Sequence, residues 1–265
     1  MHDVSSAQVD YLNTLKKQKR IIRISRILIL LLFLGLWEAA ASFGFIDAFI
    51  FSSPSRVSGT FYRMLLDKTI FLHAGITVLE TLISFLLVIM IGILFAVILW
   101  LSSKAAEITE PFLVILNSLP KSALAPLLIV WLGANMRTII VAGISVALFG
   151  TIINLYTSFR ESDADKLKLI YTLGGTRKDA LFKVVLPSNI PAIISNAKVN
   201  IGLSLVGVVI GEFIGARRGL GYLIIYSSQV FQLDTLIMAI VILCIIALLL
   251  YSFIGYIEKL YLKRL

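Results

Sequence analysis

The chain has 265 residues, of which 59% are hydrophobic and 15% are charged, and its mean hydropathy is +0.97. A soluble domain is ~45–50% apolar and ~25% charged, because it needs a largely polar surface, so this composition excludes a soluble globular protein and indicates an integral membrane protein. The net charge of +9 is interpreted as basic loops facing the anionic leaflet of a lipid bilayer, not as a nucleic-acid site.

Six apolar runs are long enough to cross the bilayer, since a transmembrane helix takes about 20 residues. They cover Ile27–Ile46, Ala74–Leu101, Pro111–Leu132, Thr138–Phe159, Ile190–Ile214 and Leu236–Ile257. The first run also fits a secretory signal, with basic residues before it and an alanine triplet at 39–41. It continues past those alanines and five further runs follow, which favours a retained helix. The prediction is an all-α polytopic protein with six transmembrane helices.

The distribution of basic residues predicts the orientation of these helices. With the N-terminus inside, 16 of the 24 Lys and Arg residues lie on inner segments, six on outer segments and two within spans. Because basic residues concentrate on the cytoplasmic side, both termini are predicted to be cytoplasmic. The predicted domains are a cytoplasmic tail, 1–25, and a transmembrane domain, 26–265. Outside, a turn at Ser52–Ser55 is predicted to precede a short surface helix.

The longest cytoplasmic loop, residues 160–189, has the signals of two short helices. Asp163 or Ser162 caps the first, which Gly174 and Gly175 end. Thr176, three residues before an aspartate, starts the second, and a Leu-Pro pair at 186–187 closes it. Two interpretations are open: amphipathic helices lying on lipid, or a docking surface for a soluble partner. The apolar positions are Leu167, Ile170, Tyr171, Leu173, Ala180, Leu181, Val184 and Val185.

Polar and small residues form a stripe along one side of the fifth span. Glycines at spacing four allow another helix to approach closely, and the asparagines can hydrogen-bond between helices. One interpretation is packing within the subunit. The other places the three polar residues of the stripe on a translocation pathway or a dimer contact. The stripe is Asn196, Asn200, Ser204, Gly207, Gly211 and Gly215. Lys198 and Glu212 lie on the opposite side, near the span ends.

Lys121 is predicted to lie near the middle of the third span, beside Pro120, where a lysine costs on the order of 3 kcal/mol. We expect it either to face a central cavity and attract an anionic solute, or to pair with Glu80 or Glu38. Arg217 and Arg218 follow the fifth span on the outer side. They are interpreted either as contacts for an external binding protein or as solvated loop charges.

Three motifs together resemble bacterial ABC importer permeases of the nitrate, sulfonate, taurine and bicarbonate type. The first is the interval from Gly174 to Leu186-Pro187, which is similar to the "EAA" loop of those proteins. The others are Leu119–Leu127 with Trp131-Leu132-Gly133, and Gly211–Ile214 with Gly219–Tyr222. The sequence departs from the pattern twice, with Lys168-Leu169-Ile170 in place of Glu-Ala-Ala and with Glu80 where that branch often carries arginine.

The resemblance implies a permease subunit in the cell membrane, working with a second permease copy, two cytoplasmic ATPases and an external solute-binding protein. It implies import of a small solute such as an organic or inorganic anion. No phosphate-binding G-x-x-x-x-G-K-[ST] motif occurs, so ATP and Mg²⁺ are expected in the ATPase, and this chain is expected to be neither an enzyme nor a cofactor protein. An ion-coupled transporter acting alone is the alternative. The implied ATPase-coupling residues are Leu167, Ile170, Leu173, Gly174, Thr176, Ala180, Leu181, Val184, Leu186 and Pro187.

Overall fold

The computed structural model describes residues 6–262, with side chains for residues 14–261, and all regular structure within that range is helical. The first five residues of the predicted tail and the basic pair Lys263 and Arg264 lie outside the described residues. The α-helices are α1 Ser6–Ser42, α2 Ala48–Phe51, α3 Pro54–Leu66, α4 Thr69–Leu101, α5 Ser103–Ser118, α6 Lys121–Leu132, α7 Met136–Arg160, α8 Ala164–Thr172, α9 Arg177–Ala180, α10 Leu186–Ser188, α11 Ile190–Gly215, α12 Leu220–Gln229 and α13 Leu233–Leu262. A π-helical turn, Leu181–Val185, joins α9 to α10.

Five of the described helices, α1, α4, α7, α11 and α13, are long and apolar enough to cross a membrane. The third predicted span, 111–132, is not one straight helix. The chain breaks after Ser118, and α5 and α6 meet at 96°. Proline explains the break: Pro120 has no N–H, and it forces Leu119 into an extended conformation (φ −62°, ψ 136°) that ends α5. A sixth crossing exists only if this bent pair counts as one span.

The centre of the bundle is formed by α4, α7 and α11. Two glycines allow α7 and α11 to touch backbone to backbone. A Cβ at Gly207 would lie 2.8 Å from both the Ala142 carbonyl oxygen and the Cα of Gly143. The same side of α11 continues along Gly211 and Gly215, which face α7 and Ile129 of α6. Because glycine has no side chain, these positions let α7 and α11 pack closely and so set the spacing of the two helices.

The remaining long helices lie around this centre. None of the residues in the apolar stretch of α1 is buried. Glu38 fixes the C-terminal end of α1 by accepting hydrogen bonds from the backbone N–H (2.9 Å) and hydroxyl (2.7 Å) of Ser55. The predicted surface helix is present as α3, and the Ser53 side chain accepts from the backbone N–H of Arg56 at its start. Helices α12 and α13 pack against α4 and α11. Arg56 pairs with Asp234 at 3.0 Å and joins α3 to α13.

Candidate functional site

The 160–189 loop begins with α8, whose start and end follow from local sequence. The Asp163 carboxylate accepts from the backbone N–H groups of residues 165 and 166, which satisfies free donors of the first turn. At the other end, Gly174 has φ +81°, a conformation that suits glycine, and the N–H of Gly175 donates to the Ile170 carbonyl at 2.9 Å. The chain can therefore reverse direction and start α9.

Helix α9 starts with a complete capping box. The backbone N–H of Asp179 donates to the Thr176 hydroxyl oxygen (3.2 Å), and the Thr176 N–H donates to the Asp179 carboxylate (2.9 Å). The Thr176 hydroxyl also donates to that carboxylate at 2.6 Å, and Lys183 lies 3.4 Å from it. Hydrogen bonds from Thr176, with a smaller contribution from Lys183, lower the pKa of Asp179 from 3.8 to about 2. The box therefore stays intact at neutral pH.

The prediction that Leu186-Pro187 closes the second helix is wrong, because the helix continues as α10 to Ser188. The turn 181–185 is π-helical, and the Leu186 N–H donates back to the Leu181 carbonyl. This wider turn accommodates the proline that lacks an N–H. The segment ends at Asn189, whose backbone N–H donates to the Val185 and Leu186 carbonyls and whose side-chain amide donates to Ser162.

The predicted apolar positions of the loop divide into buried and exposed groups. Ala180 and Leu181 are buried against Trp100 of α4 and Phe159 of α7. Leu167, Ile170 and Leu186 pack partly against the same cluster, and Val184 is half-buried. Leu173, Gly174, Thr176 and Pro187 are exposed, and so are Leu169 and Phe182, which are not among the implied ATPase-coupling residues. One side of the loop therefore anchors it to the bundle, and large apolar side chains remain on its surface.

Arg177 connects the loop directly to α4. Its Nη2 donates to the Trp100 carbonyl at 2.7 Å and lies 3.5 Å from the Ser103 hydroxyl. The guanidinium carbon lies 5.4 Å from the centre of a Trp100 ring. Carbonyls in the last turn of a helix have no partner within the helix, so Arg177 satisfies one of them for α4. Arg177 therefore links the start of α9 to the end of α4.

At the opposite end of the bundle, Glu212 organises the turn between α11 and α12. Its carboxylate accepts from the Thr77 hydroxyl (2.7 Å) and from the backbone N–H of Gly221 (2.5 Å). Gly219 has φ +112°, and a Cβ there would overlap the Glu212 carboxylate. A Cβ at Gly221 would lie 2.7 Å from Glu212 Oε2. The Gly219-Leu220-Gly221 sequence is thus explained by a carboxylate packed under its backbone.

Glu80 of α4 lies beside Glu212, and their carboxyl groups are in hydrogen-bond contact. The sequence analysis treated Glu212 as an end-of-span residue and missed this contact. A signal was present, since Glu80 lies six residues from the predicted outer end of its span at Ala74 and Glu212 lies two residues from that of its span at Ile214, which places them at similar depth. We refer to Glu80 and Glu212 as the carboxyl pair.

The residues predicted for a translocation pathway are separated in the structure. Pro120 and Lys121 lie at the bend between α5 and α6, where the Lys121 ammonium donates to the Leu116 carbonyl and lies 5.2 Å from the centre of the Phe149 ring. Among the described residues, neither glutamate pairs with Lys121 as predicted. Glu38 contacts Ser55 instead, and Glu80 contacts Glu212.

The polar part of the α11 stripe is mostly internal to the chain. Asn200 and Ser204 are buried, whereas Asn196 is half-buried and donates to the Ala192 carbonyl at 3.0 Å. Lys198, on the other side of α11, pairs with Glu258 of α13 at 2.6 Å. The ion pair with Glu258 holds α11 to α13, whereas the Asn196 hydrogen bond lies within α11 itself. The arginines after α11, Arg217 and Arg218, are exposed.

Residues 88–263 match the family described as binding-protein-dependent transport system inner membrane component. The chain is 31% identical over 225 residues to the "Probable ABC transporter permease protein" of Haemophilus influenzae, covering 85% of this chain and 91% of that protein. It is 29% identical to the riboflavin transport system permease protein RibX of Chloroflexus aurantiacus, covering 87% and 86%. It is 22% identical to the taurine transport system permease protein TauC of Escherichia coli, covering 82% and 81%.

Among solved structures, the fold is similar to that of an inward-facing conformation of the MetNI methionine ABC transporter. The TM-score is 0.64 at 18% sequence identity, and the match covers 71% of this chain and 93% of the other. This likeness concerns the fold alone.

Proposed function

The chain belongs to the family of binding-protein-dependent transport system inner membrane components, and we propose that its 160–189 loop is the segment through which separate ATPases drive solute import. It is a multi-pass membrane protein and a permease subunit of an ABC importer. We further propose that two copies of this permease assemble with two cytoplasmic ATPases and receive solute from an external solute-binding protein. Both termini and the loop then lie on the cytoplasmic side, with 1–25 as a tail and 26–265 as the transport domain.

The observation that carries this proposal is the two-sided loop. Ala180 and Leu181 fix it to α4 and α7, whereas Leu173 and Phe182 are 76% and 66% exposed. Exposed apolar side chains on a firmly anchored cytoplasmic segment suit contact with a soluble protein. We therefore place the ATPase contact on Leu173 and Phe182 together with Gly174 and Thr176. Ala180, Leu181 and Leu186 then transmit the movement inward.

ATP and Mg²⁺ are assigned to the ATPase, because the sequence contains no phosphate-binding loop motif. The permease supplies the pathway, and the Lys168-Leu169-Ile170 sequence, in the place of the usual Glu-Ala-Ala, makes the contact on α8 more apolar. Closure of the two ATPases on ATP would push both loops and change access to a pathway between the two permease copies.

We propose a small solute with an anionic group, such as a sulfonate or nitrate, as the cargo, with Arg217 and Arg218 contacting the solute-binding protein. Both arginines are exposed at the end of the bundle opposite the loop. Within the pathway, Lys121, Pro120 and Asn196 are the candidates that retain exposed surface. Asn200 and Ser204 are assigned to helix packing with Gly207, Gly211 and Gly215, because they are buried within the subunit.

The ATPase contact is tested by purifying the tagged permease with its ATPase from native membranes and measuring ATP hydrolysis per permease. Leu173→Ser should lower the recovered activity at least tenfold while the permease remains folded. Leu66→Ser is the matched control, since Leu66 is a leucine 63% exposed at the other end of the bundle. Equal recovery for both variants would contradict the proposed contact.

The cargo is tested by uptake into proteoliposomes containing the assembled importer and its binding protein. Taurine or nitrate should be imported with ATP, and Lys121→Ala should lower that import without lowering ATP hydrolysis. Import of riboflavin instead of the anions would contradict the anion proposal. Import driven by an ion gradient without ATP would contradict the whole assignment and favour a secondary transporter.

A further inference from the structure

Two glutamates that the transport proposal does not use are buried together near the start of α4 and the end of α11. Glu80 is 2% exposed and Glu212 is 0% exposed, and their carboxyl groups contact each other. Neither forms an ion pair among the described side chains. Two adjacent carboxylates without a cation repel strongly, and burial adds the cost of removing both charges from water.

The hydrogen bonds around the carboxyl pair distinguish its two members. Glu212 accepts from the Thr77 hydroxyl and from the Gly221 backbone N–H, so its oxygens act as acceptors. Thr77 in turn accepts from the backbone N–H of Leu220 at 2.8 Å. Glu80 has no such donors: its Oε2 is buried with no hydrogen-bond partner. This pattern suits an ionised Glu212 and a neutral Glu80.

Other charged or titratable residues near the carboxyl pair are His73, Tyr222, Arg217 and Arg218. His73 of α4 makes hydrogen-bond contact with Gly219, and its ring stacks on Tyr222 of α12 at 6.2 Å. Arg217 and Arg218 are exposed and line a cavity of about 230 Å³ that also contacts Glu80. The segment between α6 and α7 contributes only uncharged residues to this cavity, including Asn135.

We propose that the carboxyl pair is a proton-binding site, in which Glu80 holds one proton and donates it to the Glu212 carboxylate. The cavity beside Glu80 gives that proton access to solvent on the side of Arg217 and Arg218. The bound proton joins α4 to the turn between α11 and α12, because Glu212 holds that turn through Gly221. Release of the proton leaves two negative charges in contact and separates the turn from α4.

Infrared spectroscopy of the purified full-length permease in lipid nanodiscs tests the site, since a protonated carboxylic acid has its own C=O band. At neutral pH the wild type should show this band from a buried acid, and Glu80→Gln should lose it. Glu107→Gln, at an exposed glutamate, is the matched control and should retain it. A band retained in Glu80→Gln, or absent from the wild type, would overturn the assignment.

Thermal unfolding against pH gives a second, independent measurement. The wild type should lose stability as the pH rises and the proton leaves, with a fall in Tm of several degrees. Glu80→Gln keeps a neutral donor toward Glu212, so it should fold and show a Tm that changes much less over the same range. A wild-type Tm that follows pH no more steeply than that of Glu80→Gln would contradict a shared proton. Neither experiment needs an ATPase or a transported solute.

Discussion

The two ends of the helical bundle are held together in different ways. At the loop end, Thr176 and Asp179 are three residues apart and form their capping box locally, with charges exposed to solvent. At the other end, Thr77 and Glu212 are 135 residues apart, and the charge is buried. The capping box can therefore form from local sequence, whereas the carboxyl pair exists only once the bundle has assembled.

Helix α4 joins the two ends. Thr77, near its start, contacts Glu212, and Trp100, near its end, contacts Arg177. At 1.5 Å per residue these positions are about 35 Å apart along the helix. One continuous helix therefore contacts both the loop and the α11–α12 turn.

Removing the buried acceptor should have the greatest effect on stability. Glu212→Gln replaces an oxygen that faces the Thr77 hydroxyl and the Gly221 N–H, leaving a buried donor without an acceptor. We expect the free energy of unfolding to fall by about 3 kcal/mol. Unfolding in a denaturing detergent checks this, with Glu107→Gln unchanged. If Glu212→Gln were as stable as the wild type, the turn would not depend on that carboxylate.

The contact between central helices offers a matched pair within α11. Gly207→Ala places a methyl group 2.8 Å from the Ala142 carbonyl oxygen and should lower stability by about 2 kcal/mol. Gly202→Ala meets nothing within 4 Å and should be neutral or stabilising by up to about 1 kcal/mol, because alanine favours helix more than glycine does. The same unfolding assay distinguishes them, and equal effects would mean that α7 and α11 are not in close contact.

At the loop end, Arg177→Ala should separate docking from transmission. The variant loses the hydrogen bond to the Trp100 carbonyl, at a cost of about 1 kcal/mol. ATPase binding should remain, and transport per ATP hydrolysed should fall severalfold. Lys178→Ala, at the exposed neighbouring position, is the control. Unchanged coupling in Arg177→Ala would show that the loop drives α7 or α11 without α4.

The capping box should give a small and local effect. Thr176→Ala should destabilise α9 by about 1 kcal/mol. Because the pKa of Asp179 is lowered from 3.8 to about 2, its contribution is complete above pH 4 and is lost as the pH falls toward 2. Hydrogen exchange of the α9 amides, corrected for the intrinsic rate, measures both changes. Asp179→Asn should remove the acid dependence, and a dependence that survives in this variant would exclude Asp179 as its source.

The features that could be predicted from the sequence are those that depend on local contacts. Asp163, Gly174 and the Thr176 capping box act over a few residues, so their spacing was sufficient to predict α8 and the start of α9. The angle of the bend at Pro120 could not be predicted, because apolar composition alone does not distinguish a straight span from a bent one. The continuation through Pro187 depends on a π-helical turn that no local residue pattern indicated.

The contacts of Glu80 and Arg177 needed the fold. Each joins residues far apart in the chain, since Glu80 meets Glu212 and Arg177 meets Trp100, and single-sequence periodicity carries no information on such pairs. Family resemblance located the Gly219–Gly221 turn, but only its packing over Glu212 gives a physical reason for both glycines.

Cysteine accessibility tests most directly whether the two ends lie on opposite sides of the membrane with the loop inside. Cys244 is the single cysteine of the sequence. In a Cys244→Ala background, Leu173→Cys and Arg217→Cys are treated with a membrane-impermeant maleimide in right-side-out and inverted vesicles. We predict that Leu173→Cys reacts only in inverted vesicles and Arg217→Cys only in right-side-out vesicles. Labelling of Leu173→Cys from the outside would contradict the assignment of the loop to a cytoplasmic ATPase.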